Sequence, residues 1–410
     1  MNTIHNDQEN WLRNTILFLS SQTISLFGSS LVQYAMMWYV TLSTESGLMM
    51  TWYIVCGFIP TFLLSPVAGV WADRFNRKML IVAADALIAT ATFILAMLFL
   101  MGYGSIWLFF IMAGIRAIGA GIQTPAVGAI LPQIVPKEHL TKVNGINGSI
   151  QAITIFASPL ISAALLAFAT IEAIFFIDVF TAAIAIITLL FFLKIPAHKK
   201  DTAMQMKSYF TDFKQGLSYI NKHAFLKRFF VFFAIFFILM APASFLTPLQ
   251  VTRTFGEDYW RLSSIEIAFS IGMTAGGGII AAWGGFENRV KTMAFASIIM
   301  GICTFALGIV PFFWIYLAFM ALFGIVMPIF STPGTVLLQE KVEDAYLGRV
   351  FGVMGMISTS MMPLGMLIFG PIADIIRIEW LLIGTGIFIV ILSLFLARNK
   401  VLIEAGKPQF

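Results

Sequence analysis

Between Ile106 and Leu131 the sequence is apolar enough to cross a bilayer, yet it carries one charged side chain, Arg116, near its middle. A guanidinium stays charged at any accessible pH, and a charge inside lipid costs at least about 2.5–3.5 kcal/mol. Such a residue therefore pairs with an anion or works on one. Three carboxylates stand in comparable places, Asp85, Asp178 and Glu266, while Glu172 and Asp374 fall near the ends of apolar runs. Arg116 is suited to hold an acceptor on a ligand, or to bias a neighbouring carboxylate between its charged and neutral forms. The plainer alternative is a permanent ion pair that locks helices together. A lone carboxylate shielded from water can exchange a proton, which makes Arg116, Asp178 and Glu266 the candidates for proton coupling. For Asp178 the alternative is a hydrogen-bonded packing residue. For Glu266, placed in the first turn of its span, it is a carboxylate favoured by the helix dipole. Asp85, two turns past Arg77 and Lys78, is expected to balance one of those cations or Arg116 and so to be structural.

Uncharged polar residues mark faces. Gln22, Ser25, Ser29 and Gln33 recur at steps of three and four, as do Asn144, Asn147, Gln151, Thr154 and Ser158, and Gln123 lies seven residues from Arg116. One or two such residues serve helix-to-helix hydrogen bonds, but four or five on one stripe predict a face that meets water. Met354, with Met356, Met361, Met362 and Met366, supplies side chains that adapt to varied ligands, although lipid contact suits half of them equally. Pro125, Pro159, Pro333 and Pro363 each remove a backbone hydrogen bond and are hinge candidates, a static kink being the alternative.

The elements that position these residues follow from composition. Charged residues are 11% of the 410, hydrophobic residues 59%, and Phe alone counts 41; mean hydropathy is +0.91. An average soluble chain is about 25% charged, so a disordered chain, a nucleic-acid binder and a disulfide scaffold are all excluded. Cys56 and Cys303, the two cysteines, lie inside apolar runs. The polar start, Met1 to Asn14, carries both signs of charge and does not read as a cleavable signal. A membrane helix needs roughly 20 apolar residues. Twelve stretches qualify: 15–40, 48–72, 79–101, 106–131, 145–169, 173–193, 227–250, 264–285, 292–311, 313–338, 351–370 and 380–397. With the N-terminus cytoplasmic, 21 basic residues fall inside and only Arg253, Arg261 and Arg377 outside. That asymmetry predicts both termini on the cytoplasmic side.

The longest polar segment divides the chain into a bundle over 1–193, a cytoplasmic linker over 194–226 and a second bundle with tail over 227–410. Within the linker, Tyr209, Phe213, Leu217 and Ile220 predict an amphipathic helix from Ser208 to Asn221 lying along the membrane surface. The halves echo each other: Thr124-Pro125 and Thr332-Pro333 are 208 residues apart, Gln133 and Gln339 are 206, and Ile171-Glu172 and Ile378-Glu379 are 207. Leu140 to Gly145 matches Leu347 to Gly352 in the same order, so an internal duplication is expected. Duplicated six-span halves that rock about a midplane site are the architecture of alternating access.

Gly69-Val70-Trp71-Ala72-Asp73-Arg74-Phe75-Asn76-Arg77-Lys78, between spans two and three, resembles the loop signature of the major facilitator superfamily. Arg116, followed by Gly119 and Gly121, is similar to that superfamily's Arg-centred signature. Arg116-Ala117-Ile118-Gly119, Thr124-Pro125-Ala126, Leu140-Thr141-Lys142, Ile177-Asp178-Val179 and Tyr346-Leu347-Gly348-Arg349-Val350-Phe351 resemble the macrolide-efflux branch of bacterial drug:proton antiporters. The second-half copy of the loop signature, Gly284 to Lys291, keeps its basic residues but is degraded. The resemblance implies an all-α integral membrane protein of twelve transmembrane helices in two pseudo-symmetric six-helix bundles, the major facilitator fold. It further implies gating by Gly69, Asp73, Arg74, Arg77, Lys78 and Arg349. By that resemblance Asp73 contacts the start of span eleven, Arg77 pairs with an acid in its own half, and Arg349 is the cross-half partner. Topology determination by positive charge is the simpler reading of the same residues. The substrate cavity is expected at Gln22, Ser25, Ser29, Gln33, Gln123, Asn147, Gln151, Thr154 and Met354.

Together these features predict a monomeric exporter in a bacterial cytoplasmic membrane. It exchanges an amphiphilic, macrolide-like molecule for protons and contributes to antibiotic resistance. It is expected to be no enzyme, to use no cofactor or metal, and to bind no nucleic acid; there is no phosphate-cradling G-x-x-x-x-G-K-[ST] loop for ATP. Export of an anionic metabolite such as a siderophore is the rival within transport. A non-transporting receptor or assembly platform is the rival from another class.

Overall fold

The computed structural model describes residues 2–193 and 215–407, and all regular structure among them is helical. In chain order the helices are α1 (Asn2–Thr44), α2 (Gly47–Arg74), α3 (Arg77–Leu100), α4 (Ile106–Ile134), α5 (Leu140–Phe168) and α6 (Ile171–Ile187). A short helix, α7, spans 215–222. Then come α8 (Ala224–Ala241), α9 (Thr247–Phe255), α10 (Tyr259–Trp283), α11 (Arg289–Leu307), α12 (Phe313–Lys341), α13 (Asp344–Ile372), α14 (Ile378–Arg398) and α15 (Lys400–Ala405). Twelve membrane-crossing candidates lie among the described residues, with α8 and α9 joined into one of them by a π turn at Pro242–Leu246. That wider turn lets the helix continue past Pro242 and Pro248, neither of which has an N–H to donate.

Each predicted stretch overlaps a helical span. Those at 79–101, 145–169, 173–193, 264–285 and 292–311 run one to four residues past its C-terminal end, while most helices begin earlier because the backbone stays helical beyond the apolar core. One difference matters. The eighth span begins at Tyr259 rather than 264, so Glu266 sits seven residues in, about 10 Å from the helix start. The dipole explanation for Glu266 therefore falls away, since that effect fades within the first turn.

By packing, the described chain forms two compact units, one of residues 1–40 with 52–207 and the other of 41–51 with 208–410. In the first, α3 packs on α4 and α6; in the second, α11 packs on α12 and α14. The third, fourth and sixth spans of each half thus repeat one arrangement, as a duplication requires. Where α10 meets α12, the added Cβ of Gly272 would lie 2.0 Å from the Ala321 carbonyl oxygen, and that of Gly276 2.0 Å from Ile325's. Lipid gives apolar helices no hydrophobic drive to associate, so small residues that bring backbones together replace it. Of the predicted linker helix, residues 208–214 lie outside the described residues. The remainder packs on protein instead of presenting its whole apolar face to lipid: Tyr219 stacks on Tyr346 of α13, ring centroids 4.3 Å apart, and Ile220 is buried.

The turn joining α1 to α2 belongs to the second unit. Ser46 caps α2 by accepting from the Met49 N–H (3.3 Å), and Asp374 accepts from the N–H groups of Gly47 (2.7 Å) and Leu48 (2.9 Å). The Ser46 hydroxyl (2.7 Å) and Arg253 (3.0 Å) also donate to Asp374, and Arg253 binds the carbonyls of Ala373 and Glu45. Glu45 stands at φ 45°, in the left-handed region. Partial burial alone would raise the Asp374 pKa. The N–H of Leu48, the Ser46 hydroxyl, the N–H of Gly47 and the Arg253 guanidinium outweigh it and hold the carboxyl below its usual range. Stability from this group is complete above the ordinary carboxylate range and is lost as pH falls through the lowered value. Wild type should melt above Asp374→Asn at neutral pH, and the gap should close on acidification. A gap independent of pH would contradict this account.

Candidate functional site

The first unit holds a ladder of polar side chains inside an apolar bundle, set by seven-residue spacing on three helices. On α1, Gln22 and Ser29 are seven apart with Ser25 between them; on α3, Asp85 and Thr92 are seven apart; on α4, Arg116 and Gln123 are seven apart. Seven residues make nearly two turns, about 10 Å, so each helix presents two polar groups on one face at two depths. Helix directions alternate, which brings Ser29, Thr92 and Arg116 to one level and Gln22, Ser25, Asp85 and Gln123 to the other.

At the first level Arg116 is 8% exposed and donates to Asp178 Oδ2 (2.7 Å), to Thr92 Oγ1 (3.3 Å) and to the Ser29 carbonyl (2.6 Å). Asp178, fully buried on α6, also accepts from Thr92 (3.0 Å) at Oδ2 and from Ser29 Oγ (3.1 Å) at Oδ1. The pair is charge-balanced and hydrogen-bonded on both sides, the condition under which a buried ion pair persists. Gly28 makes room for it. A Cβ there would lie 2.0 Å from Thr181 Oγ1 and 3.3 Å from the Asp178 Cα, so only glycine lets α1 approach α6 this closely.

At the second level Asp85, 2% exposed, accepts at Oδ1 from Ser25 (2.9 Å) and from Gln123 (2.9 Å). Gln123 also reaches Gln22 Oε1 (3.4 Å). The expectation that Asp85 balances a cation does not hold. Arg77 donates to the Ala129 carbonyl (2.9 Å), Lys78 to the carbonyls of Leu190 (3.1 Å) and Leu193 (2.8 Å), and Arg116 to Asp178. Lys78 thereby satisfies backbone carbonyls in and just after the π turn at Thr188–Phe192 that follows α6, where the helical ladder ends and carbonyls lose their partners. The degraded second copy does similar work in its own unit. Asn288 caps α11 as Asn76 caps α3, and Arg289 pairs with Glu340 of α12 where Arg77 reaches α4.

Of the sequence-derived candidates, the structure brings Arg116, Asp178, Gln22, Ser25, Ser29 and Gln123 into this ladder. Gln33 and Gln151 are exposed, Asn147 and Met354 half-buried and Thr154 buried, and none of these five side chains shows a hydrogen bond to it among the described residues. Glu266 is half-buried on α10, in the second unit, with no ion-pair or hydrogen-bond partner among the described residues. Pro125, Pro159, Pro333 and Pro363 each lie inside a continuous helix. Gly69, Asp73 and Arg74 fall within α2, but the surroundings of Gly69 and the side chains of Asp73 and Arg74 lie outside what is described. Arg349 places its guanidinium over the Tyr346 ring, 5.4 Å from the centroid. Sequence reasoning missed Thr92 and gave Asp85 the wrong partner. The readable signal was that their seven-residue spacing on α3 copies that of Arg116 and Gln123 on α4.

A groove of about 790 Å³ opens between residues 11–24 of α1 and the start of α5. Leu12, Ile16, Ile146 and Ile150 give it apolar walls, with His139 and Lys142 among its polar lining residues. Trp11 stacks on His139 there, with ring centroids 4.8 Å apart.

The chain is 30% identical to macrolide efflux protein A of Streptococcus pyogenes over 93% of its own length and 95% of that protein's. It is 31% identical to macrolide efflux protein A of Enterococcus faecalis over 76% of its length and 96% of the relative's. The fold matches the crystal structure of a bacterial homologue of the iron transporter ferroportin with a TM-score of 0.71, covering 95% of this chain and 99% of that one at 15% identity. Residues 18–366 fit the sequence model of the Major Facilitator Superfamily. With a full-length likeness in sequence, twelve spanning helices and a repeated helix arrangement in each unit, the chain belongs to the major facilitator superfamily, whose members are multi-pass membrane transporters and not enzymes.

Proposed function

We propose that the protein is a secondary active exporter of amphiphilic, macrolide-like molecules, driven by inward exchange of protons in a bacterial cytoplasmic membrane with both termini inside. The observation that carries this reading is a buried ionic ladder in a chain similar to macrolide efflux proteins over 93% of its length. Burying Asp85, Arg116 and Asp178 together is costly in a membrane, and proton exchange needs protonatable groups at depth. The α1–α5 groove, with apolar walls and a polar lining, suits a molecule recruited from the bilayer edge. Gln22, Ser25, Ser29 and Gln123 line the inner path. In this reading Gln33, Asn147, Gln151 and Thr154 serve the substrate path in the first unit and Met354 in the second, Gly69 to Lys78 and Arg349 act in gating, and the four prolines let the helices bend. The anionic-metabolite reading needs Arg116 as an anchor, and Arg116 is already neutralised by Asp178.

The test is uptake of radiolabelled erythromycin by energised everted vesicles. Uptake should appear only with the protein present and collapse when nigericin dissipates the pH gradient. Uptake that survives without any ion gradient, or none with macrolides, lipophilic cations or siderophores alike, would refute the proposal.

A further inference from the structure

The geometry points to Asp85 as the group that binds and releases the coupling proton, with Asp178 held in its pair with Arg116. This rests on the proton-exchange reading and names the site within it. Asp85 is 2% exposed, and its two oxygens differ. Oδ1 accepts from Ser25 and Gln123, while among the described residues no group donates to Oδ2. A buried polar atom is nearly always satisfied, so an unmatched carboxylate oxygen at the head of a polar ladder marks a place where a proton fits.

The groups around it agree. From α1 come only Gln22 and Ser25, neither ionisable. From α4 come Gln123 and, two turns away, Arg116, which is bound to Asp178. From α6 comes Asp178, whose negative charge acts on Asp85 across the ladder. On α3 itself, Arg77 and Lys78 are engaged with backbone carbonyls. Among the described residues no cation pairs with Asp85, so placing a proton on Oδ2 breaks no ion pair. Asp178 is the reverse case: a guanidinium and a hydroxyl donate to its Oδ2 and another hydroxyl to its Oδ1, and a proton would displace the salt bridge. Glu266 has no hydrogen-bond donor orienting it among the described residues and is only half-buried.

The step balances simply. Hydronium on the outer side gives its proton to Asp85 Oδ2 and leaves as water; the neutral acid later returns the proton to water on the inner side. Charge enters and leaves the ladder while Ser25 and Gln123 keep the carboxyl in place. The seven-residue link to Thr92 and Arg116 passes its effect to the first level.

The experiment uses purified protein in liposomes with radiolabelled erythromycin. For wild type, imposing a pH gradient of about one unit should change accumulation by about tenfold, the equilibrium effect of one pH unit on a one-proton exchange. Asp85→Asn preserves the shape and both contacts, and should make accumulation insensitive to the gradient while exchange of labelled for unlabelled drug continues. Asp85→Glu should keep coupling with a displaced pH profile. Should Asp85→Asn fail to fold, dicyclohexylcarbodiimide, which attacks protonated carboxyls in apolar surroundings, should modify Asp85 in wild type, and less at alkaline pH. Gradient-driven accumulation by folded Asp85→Asn, or modification of Asp178 or Glu266 instead, overturns this assignment and leaves proton exchange standing. Wild type indifferent to the pH gradient, or driven by sodium, overturns both.

Discussion

Arg116→Ala is expected to abolish drug export and to lower the stability of the first unit by about 3–5 kcal/mol, the range for removing one member of a buried ion pair. The loss is large because Asp178 is fully buried and would keep only Thr92 and Ser29 as donors. The Ser29 carbonyl would lose its 2.6 Å contact as well. Arg116→Lys should rescue poorly, since one ammonium cannot reproduce the planar fork that reaches Asp178, Thr92 and Ser29 together. The double variant Arg116→Met with Asp178→Leu removes both charges, and should recover most of the stability without recovering export. Thermal melts in detergent read the first quantity and cellular drug accumulation the second. Wild-type export by folded Arg116→Ala would show that the pair is only a fastener.

The second large effect is expected at Gly28. In Gly28→Leu the side chain starts 2.0 Å from Thr181 Oγ1 and 3.3 Å from the Asp178 Cα, so α1 and α6 must separate. Separation pulls Asp178 from Ser29 and Arg116, and the variant should lose both export and yield of folded protein. Overpacking of a tight contact costs typically about 1–3 kcal/mol, to which the weakened ion pair adds. Gly28→Ala should be milder, and Thr181→Ala should partly restore it by removing the nearest atom. Equal export by Gly28→Leu and wild type would mean that the close approach does not set the ladder.

Much of this was legible in the sequence, for identifiable reasons. Hydropathy located every span, because a bilayer imposes one length on each. Arg116 stood out because it is the one charge in its run, but its partner did not. Choosing Asp178 over Asp85 requires knowing that α6 packs beside α3 and that Gly28 admits it to α1. Asp85 was misread because Arg77 and Lys78 lie two turns away on its own helix. In the structure those long side chains turn to backbone carbonyls of α4 and of the segment just past α6. The depth of Glu266 was misjudged because Trp260 to Ser264 is polar enough to look like a loop, yet it forms the first turns of α10. Asn147 and Gln151 share a stripe with Thr154, but periodicity cannot say what a stripe faces.

The common seven-residue spacing of α1, α3 and α4 has a mechanical consequence. Seven residues fall about 20° short of two full turns, so the two levels are slightly rotated about the same three axes, like treads of one spiral stair. Any tilt or twist of α4 that loosens Gln123 from Asp85 must also swing Arg116 against Asp178. Occupancy at one tread is thereby geared to alignment at the other, without a moving part between them.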